Sequence, residues 1–306
     1  MAYFESVKDL IGRTPLVKIN EHPYRNRVQI FAKLEFYNPG GSIKDRLGKK
    51  LLEDAIQSKK ITEKGTLIEP TAGNTGIGLA MAALNTEVKI ICVVPEKFSQ
   101  EKQVLIRALG ATVINTPSEL GMVGAIEKAK QLQKEIPDSY CPLQFENEAN
   151  PLTYFETLAP EIMEDLEGKV DIFIAGAGSG GTFAGSAKYF KEQNSTIRTV
   201  IVEPEGSILN GGEPGPHLTE GIGLEFIPPF LNRDYFDEVY TISDEDAFMR
   251  VKELALNEGL LVGSSSGSVY EAALREAEKA KEGTNIVIVF PDSSERYLSK
   301  QIYQFD

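Results

Sequence analysis

Lys44 stands in the run Asn-Pro-Gly-Gly-Ser-Ile-Lys-Asp-Arg, residues 38–46, just where helical spacing begins. Ser42 is placed to cap that helix, its hydroxyl accepting from an amide of the first turn. Lys44 then lies within the first turn, at the positive end of the helix dipole, where an ammonium is disfavoured. A lysine so placed is set up for a depressed pKa and for service as a nucleophilic amine. On its own the residue reads more readily as a solvated lysine beside Asp45, and it is the rest of the chain that reverses this.

Three further stretches combine glycine with small hydrogen-bonding side chains. Gly-Ala-Gly-Ser-Gly-Gly-Thr (176–182) follows the apolar strand Val-Asp-Ile-Phe-Ile-Ala and opens a small-residue helix. Backbone amides of such a loop, with the helix N-terminus behind them, suit a phosphate. The same residues match G-x-G-x-x-G at Gly176, Gly178 and Gly181, with Glu203 27 residues after Gly176. A nicotinamide-dependent dehydrogenase is therefore a rival reading of this motif, with Glu203 on a ribose. Thr-Ala-Gly-Asn-Thr-Gly (71–76), after the strand Thr-Leu-Ile-Glu-Pro, offers hydroxyl, carboxamide and helix-terminal amides suited to a carboxylate, or simply a glycine turn before a helix. Gly-Ser-Ser-Ser-Gly-Ser (263–268) supplies neutral hydroxyls ahead of a helix, or a helix cap. Gln144 adds an amide near 140–151, where two prolines break the rhythm.

Short β-branched runs alternate with amphipathic stretches, which predicts βαβ units and parallel sheets flanked by helices. Strands are expected at 16–19, 28–35, 66–70, 88–95 and 111–116, and helices at 42–58, 74–85, 99–110 and 121–135. After a domain boundary near 140–151, one helix is expected over 151–166. A strand, a helix from Gly180 and the strand Ile-Arg-Thr-Val-Ile-Val-Glu-Pro-Glu follow. The glycine- and proline-rich stretch 206–230 is long enough to be a functional loop. Strand, helix from Asp244, the serine run, helix and strand close the chain.

The formal charge of −13 argues against nucleic acid or an anionic membrane as partner. No apolar run reaches a membrane span, and the acidic start is unlike a signal peptide, so a cytoplasmic protein is expected. Two separate cysteines and two histidines, His22 and His217, supply no ligand set, so no metal is expected.

The four glycine-containing motifs, in this order and spacing, resemble the pyridoxal-phosphate enzymes of the cysteine synthase and cystathionine β-synthase family. The likeness runs from Ile-Gly-Arg-Thr-Pro-Leu (11–16) to Phe-Pro-Asp (290–292). It implies a two-domain α/β protein of fold type II, tryptophan synthase β-like, with pyridoxal 5'-phosphate between the domains. Residues 1–40 and 150–306 are expected to form the larger, cofactor-binding domain. A smaller mobile domain, 41–149, is expected to carry Lys44 and the substrate loop and to close on the substrate carboxylate. A homodimer is also implied.

The resemblance implies roles for particular residues. Lys44 matches the lysine that holds the cofactor as a Schiff base and, once displaced, takes the α-proton. Asn74 matches the partner of the cofactor's ring hydroxyl, Gly178, Ser179, Gly180, Gly181 and Thr182 the phosphate loop, and Ser265 the serine facing the pyridine nitrogen. Thr71, Ala72, Asn74, Thr75 and Gln144 match the positions that hold the substrate α-carboxylate. Gly221 and Gly223 match the stretch lining the active-site mouth. A single ligand then uses every motif, whereas a dehydrogenase leaves Lys44 and the serine run without a task. The reaction implied is replacement of a leaving group at Cβ by a thiol or sulfide. A neutral serine at the ring nitrogen is expected to favour that course over transamination.

Within the family, cysteine synthases carry serine where this chain has Ala72. Pro-Glu-Lys-Phe-Ser-Gln-Glu-Lys (95–102) and Glu-Pro-Glu-Gly-Ser-Ile-Leu (203–209) resemble the cystathionine β-synthase branch, without its haem segment or regulatory domain. The expectation is therefore a compact bacterial form that joins O-acetylserine, or serine, to homocysteine. Cysteine synthesis from sulfide is the alternative. A silent relative serving only as a binding or regulatory protein is the third reading, and the retained Lys44 speaks against it.

Overall fold

The computed structural model describes residues 3–303. Strands and helices alternate along most of the chain. Leu16–Ile19 (β1), Gln29–Leu34 (β2), Lys44–Gln57 (α1), Thr66–Pro70 (β3), Asn74–Ala82 (α2), Lys89–Pro95 (β4), Gln100–Ala108 (α3), Thr112–Thr116 (β5), Gly121–Glu135 (α4) and Ser139–Tyr140 (β6) come first. Ala149–Glu156 (α5), Leu158–Asp165 (α6), Ile172–Gly176 (β7), Gly181–Gln193 (α7), Arg198–Pro204 (β8), Glu238–Ile242 (β9), Asp244–Glu258 (α8), Ser264–Lys279 (α9) and Asn285–Phe290 (β10) follow.

The single helix expected over 151–166 is two helices. Pro160 has no amide to give the carbonyl of Glu156, and its ring crowds that carbonyl. Thr157 leaves helical geometry at φ −125° and sends its hydroxyl to the Thr153 carbonyl at 2.7 Å.

The described residues divide into two compact units, one of 38–150 with residues 3–11, the other of 12–37 with 151–303. The N-terminal residues thus join the unit of Lys44, rather than the unit of the later strands as the 1–40 boundary would have it.

In the first unit four strands run parallel in the order β5-β4-β3-β6. All five residues of β3 are buried, as expected of a parallel strand covered on both faces. Ile68 and Val93 pack with Met122, Ala125, Ala129 and Leu132 of α4. Helices α1 and α2 approach so closely that a β-carbon on Gly48 would overlap the backbone of Gly78.

In the second unit the order is β1-β2-β10-β7-β8-β9, with only the edge strand β1 antiparallel. Side chains alternate across this sheet. Ile172 and Ile174 join Val269, Ala273 and Ala277 of α9 in one core, while Phe173 faces the other way and meets Phe183 and Phe190 of α7, at ring-centroid distances of 6.4 and 4.8 Å.

Candidate active site

In the first unit, the turn that introduces α1 is held from both ends. The Gly41 amide donates to the Asn38 carbonyl at 2.7 Å, and the Gly40 amide donates to the carboxylate of Asp45. Asp45 is fully buried, so it is an internal strut of the turn and not a solvated neighbour of the lysine. Lys44 is half-buried as the first residue of the helix. Ser42 does accept from the first turn, through the Lys44 amide at 3.2 Å, although the residue at the cap position is Ile43 and makes no side-chain bond there.

The Thr71–Thr75 loop sits at the C-terminal end of β3, where ligands bind in parallel sheets. Thr71 is buried and its hydroxyl accepts the Gly73 amide at 2.9 Å. Gly73 has φ +127°, and a β-carbon there would run into the aliphatic stem of buried Lys102. Asn74 and Thr75 open α2, Ala72 is half-buried with a bare methyl, and the Thr75 hydroxyl donates to Gln144 Oε1 at 2.8 Å. The loop and Gln144, 69 positions apart, are therefore one hydrogen-bonded group. This unit also brings the backbone of Lys44 against the middle of α2, since Gly78 lies against the Lys44 carbonyl.

In the second unit, Gly178–Thr182 forms the turn from β7 into α7. Gly180 caps the helix at φ +80°, and the space a Gly178 side chain would need is filled by the carbonyl of Gly221. Ser179 is buried in the turn, and Gly181 and the buried Thr182 are the first two residues of α7. Gly223 donates its amide to the Ala177 carbonyl at 2.8 Å, so the 221–223 stretch runs beside the glycine loop. Ser264 Oγ accepts the Glu220 amide at 3.0 Å. A β-carbon on Gly221 would stand 3.7 Å from Ser265 Oγ, which places that hydroxyl beside the same stretch.

The serines 264–266 are the first turn of α9 itself, not a loop before it. Ser265 is 1% exposed, and among the described residues nothing hydrogen-bonds its hydroxyl. A buried, unmatched hydroxyl costs free energy unless a ligand completes it. Together with the glycine turn at a helix N-terminus, it fits the ring nitrogen and phosphate of a pyridoxal cofactor.

Glu203 cannot serve a ribose. Its fully buried carboxylate accepts the amides of Leu209 at 2.8 Å and Asn210 at 2.9 Å, together with the Thr241 hydroxyl at 3.2 Å. The second landmark of a dinucleotide site is thus spent on holding the loop after β8. That loop is pinned again at Asp244, which accepts the Leu218 and Thr219 amides at 2.6 and 2.9 Å, and at Ser207, which accepts the Leu224 amide at 2.9 Å.

Four residues around these motifs were given no role by the sequence. Glu69 is a buried carboxyl in β3 that accepts the Leu143 and Gln144 amides. Lys102 lies behind Gly73, and the Tyr297 hydroxyl donates to the buried carboxylate of Asp292. A charge inside an otherwise apolar strand was the available signal for Glu69. Lys102 stood inside the 95–102 stretch, but nothing there set it apart from the neighbouring charges Lys97 and Glu101.

The fold and these two clusters define a pyridoxal-phosphate enzyme of fold type II. Over residues 7–292 the chain matches the family described as pyridoxal-phosphate dependent enzyme, and it belongs to that family. It is 58% identical over 304 residues to the O-acetylserine dependent cystathionine beta-synthase of Bacillus subtilis (strain 168), covering 99% of each chain. It is 56% identical over 300 residues to a cysteine synthase of Helicobacter pylori (strain J99), covering 97% of this chain and 98% of that one. The crystal structure of O-acetylserine dependent cystathionine beta-synthase from Helicobacter pylori superposes with a TM-score of 0.96 at 56% identity, over 99% of this chain and 100% of that one. The protein is thus a pyridoxal-phosphate-dependent enzyme of the cysteine synthase and cystathionine β-synthase type.

Among the described residues no helix is long and apolar enough to cross a membrane.

Proposed function

We propose that the chain catalyses β-replacement on O-acetylserine with homocysteine as acceptor, giving cystathionine and acetate. The Cβ–O bond of the donor breaks and a Cβ–S bond forms. The α-proton leaves and returns, and the thiol proton passes to solution. Serine is the alternative donor, with hydroxide a poorer leaving group than acetate.

The cofactor, when bound, supplies an electron sink that acidifies the donor's α-carbon. Lys44 would hold the cofactor through its amine and, once released, take the α-proton and give it back. Asn74 would meet the ring hydroxyl, Gly178, Ser179, Gly180, Gly181 and Thr182 the phosphate, and Ser265 the ring nitrogen. Thr71, Ala72, Asn74, Thr75 and Gln144 would hold the donor carboxylate, with Gly221 and Gly223 at the mouth of the site.

The observation that carries the choice of acceptor is Ala72. In the hydrogen-bonded loop of Thr71, Thr75 and Gln144, position 72 presents a methyl and no hydroxyl. The 58% identity to a protein named for cystathionine formation supports the same acceptor. Sulfide as acceptor is the second reading, and the 56% identity to a cysteine synthase favours it. A cytoplasmic homodimer without nucleic-acid or membrane partners completes the proposal. Its test is the steady-state kcat/KM of the holoenzyme for homocysteine and, separately, for sulfide at saturating O-acetylserine. A higher value for homocysteine supports the first reading, and a higher value for sulfide replaces it with the second.

A further inference from the structure

Glu69 is the one charged residue of β3, a strand whose five residues are all buried. An apolar side chain would serve the sheet at lower cost, because a buried carboxyl gives up its hydration. Its two oxygens reach a turn more than seventy positions away, Oε2 accepting the Leu143 amide at 3.0 Å and Oε1 the Gln144 amide at 2.9 Å. Leu143 is in the left-handed region at φ +56°. A leucine keeps that conformation only where its surroundings over-determine it.

The residue so held is Gln144, and each of its polar groups is engaged. Oε1 accepts the Thr75 hydroxyl at 2.8 Å, Nε2 donates to the Pro70 carbonyl at 3.3 Å, and its own carbonyl accepts from Asn150 Nδ2 at 2.7 Å. Thr75 and Pro70 flank the Thr71–Asn74 loop, so the carboxamide links the turn to both ends of that loop.

We propose that Glu69 is a positioning residue for the donor's carboxylate site, holding the 143–144 amides so that the Gln144 side chain meets Thr75. This rests on the assignment of Thr75 and Gln144 to donor binding made under the proposed function. Glu69 touches neither donor nor cofactor and acts only through Gln144. Burial pushes its carboxyl up to about 8, against the two amides that favour the charged form, so the clamp works with a carboxyl cut off from water.

The test compares holoenzyme variants Glu69→Gln, Gln144→Ala and the double variant. Glutamine keeps the shape of the side chain but turns one acceptor into a donor facing an amide. Three quantities are read: KM and kcat for O-acetylserine, and the concentration of an amino acid without a leaving group that half-shifts the cofactor absorbance. In Glu69→Gln, KM and the half-shift concentration rise about 10-fold while kcat stays within about 3-fold of wild type, a loss of binding and not of chemistry. The double variant is no weaker than Gln144→Ala by more than about 2-fold, since the two act as one unit. If Gln144→Ala raises KM and folded Glu69→Gln does not, the positioning role is wrong. If Gln144→Ala itself leaves KM unchanged, the donor-site assignment falls and takes this role with it. Should Glu69→Gln not fold, Glu69→Asp keeps both acceptors on a shorter arm and carries the same expected and contradicting results.

Discussion

Gly78 of α2 rests on the carbonyl of Lys44, and Gly48 of α1 packs on the backbone of Gly78 in return. Lys44 and the middle of α2, the helix that the Thr71–Thr75 loop leads into, are thereby joined by backbone contact, with no side chain between to adjust. Gly78→Ala sets a β-carbon against that carbonyl, and the two helices have to separate. Such overpacking costs about 1–3 kcal/mol. We expect a lower unfolding temperature together with at least about a 10-fold loss of kcat, equivalent to ~1.4 kcal/mol of barrier. A stable variant with unchanged kcat would show that this helix contact does not position Lys44.

Replacing Ser265 by aspartate puts a carboxylate where the hydroxyl now has no partner among the described residues. On the proposed placement of Ser265, a negative group facing the ring nitrogen would strengthen the electron sink that a neutral serine tempers. Ser265→Asp is expected to raise keto-acid formation relative to β-replacement by about 10-fold, ~1.4 kcal/mol in relative barriers, measured by assaying both products from O-acetylserine. An unchanged ratio would mean that Ser265 does not face the ring nitrogen.

Glu203 holds the loop after β8 through the Leu209 and Asn210 amides. Glu203→Gln leaves one of those amides without its acceptor, and hydrogen bonds to charged groups contribute about 1.5–3 kcal/mol each. Faster proteolysis within 206–216 and a lower unfolding temperature are expected, with no nicotinamide dinucleotide bound by either form. Dinucleotide binding by the wild type would contradict the structural role of Glu203.

His22 gives a pH dependence of stability. It is 2% exposed, neither ring nitrogen has a partner among the described residues, and burial lowers its pKa from 6.5, opposed by Glu258 and Glu21 and assisted by Arg25 and Lys18. As pH falls below 6.5 the unfolded chain takes up the proton before the folded chain does, so stability is lost on acidification and flat above that pH with respect to this group. Denaturation midpoints between about pH 5 and 8 should fall on the acid side, and His22→Asn should flatten the slope. An unchanged slope in the variant would assign the acid sensitivity to other groups.

The alternation of strands and helices was legible because apolar runs and their breakers are local. Helix α4 begins and ends at the residues its periodicity marks, 121 and 135. The break at Thr157 was readable from Pro160 but was outweighed by the periodicity around it. The serines 264–266 read as a loop because their propensity favours caps, yet burial against the rest of the second unit holds them helical. Motifs marked Lys44, the Thr71–Thr75 loop and the glycine turn, since each concentrates unusual residue types. Residues that act from behind them do not. The link from Glu69 to Gln144 spans 75 positions and exists only in three dimensions. Glu203 shows the converse, a residue whose spacing suggests one ligand and whose hydrogen bonds serve the loop instead.

The acceptor is decided most directly by competition. The purified holoenzyme is given O-acetylserine with equal concentrations of homocysteine and sulfide, and cystathionine and cysteine are quantified from the same mixture. Cystathionine in excess is the result expected of a loop that carries Ala72. Cysteine in excess would contradict it and make the chain a cysteine synthase.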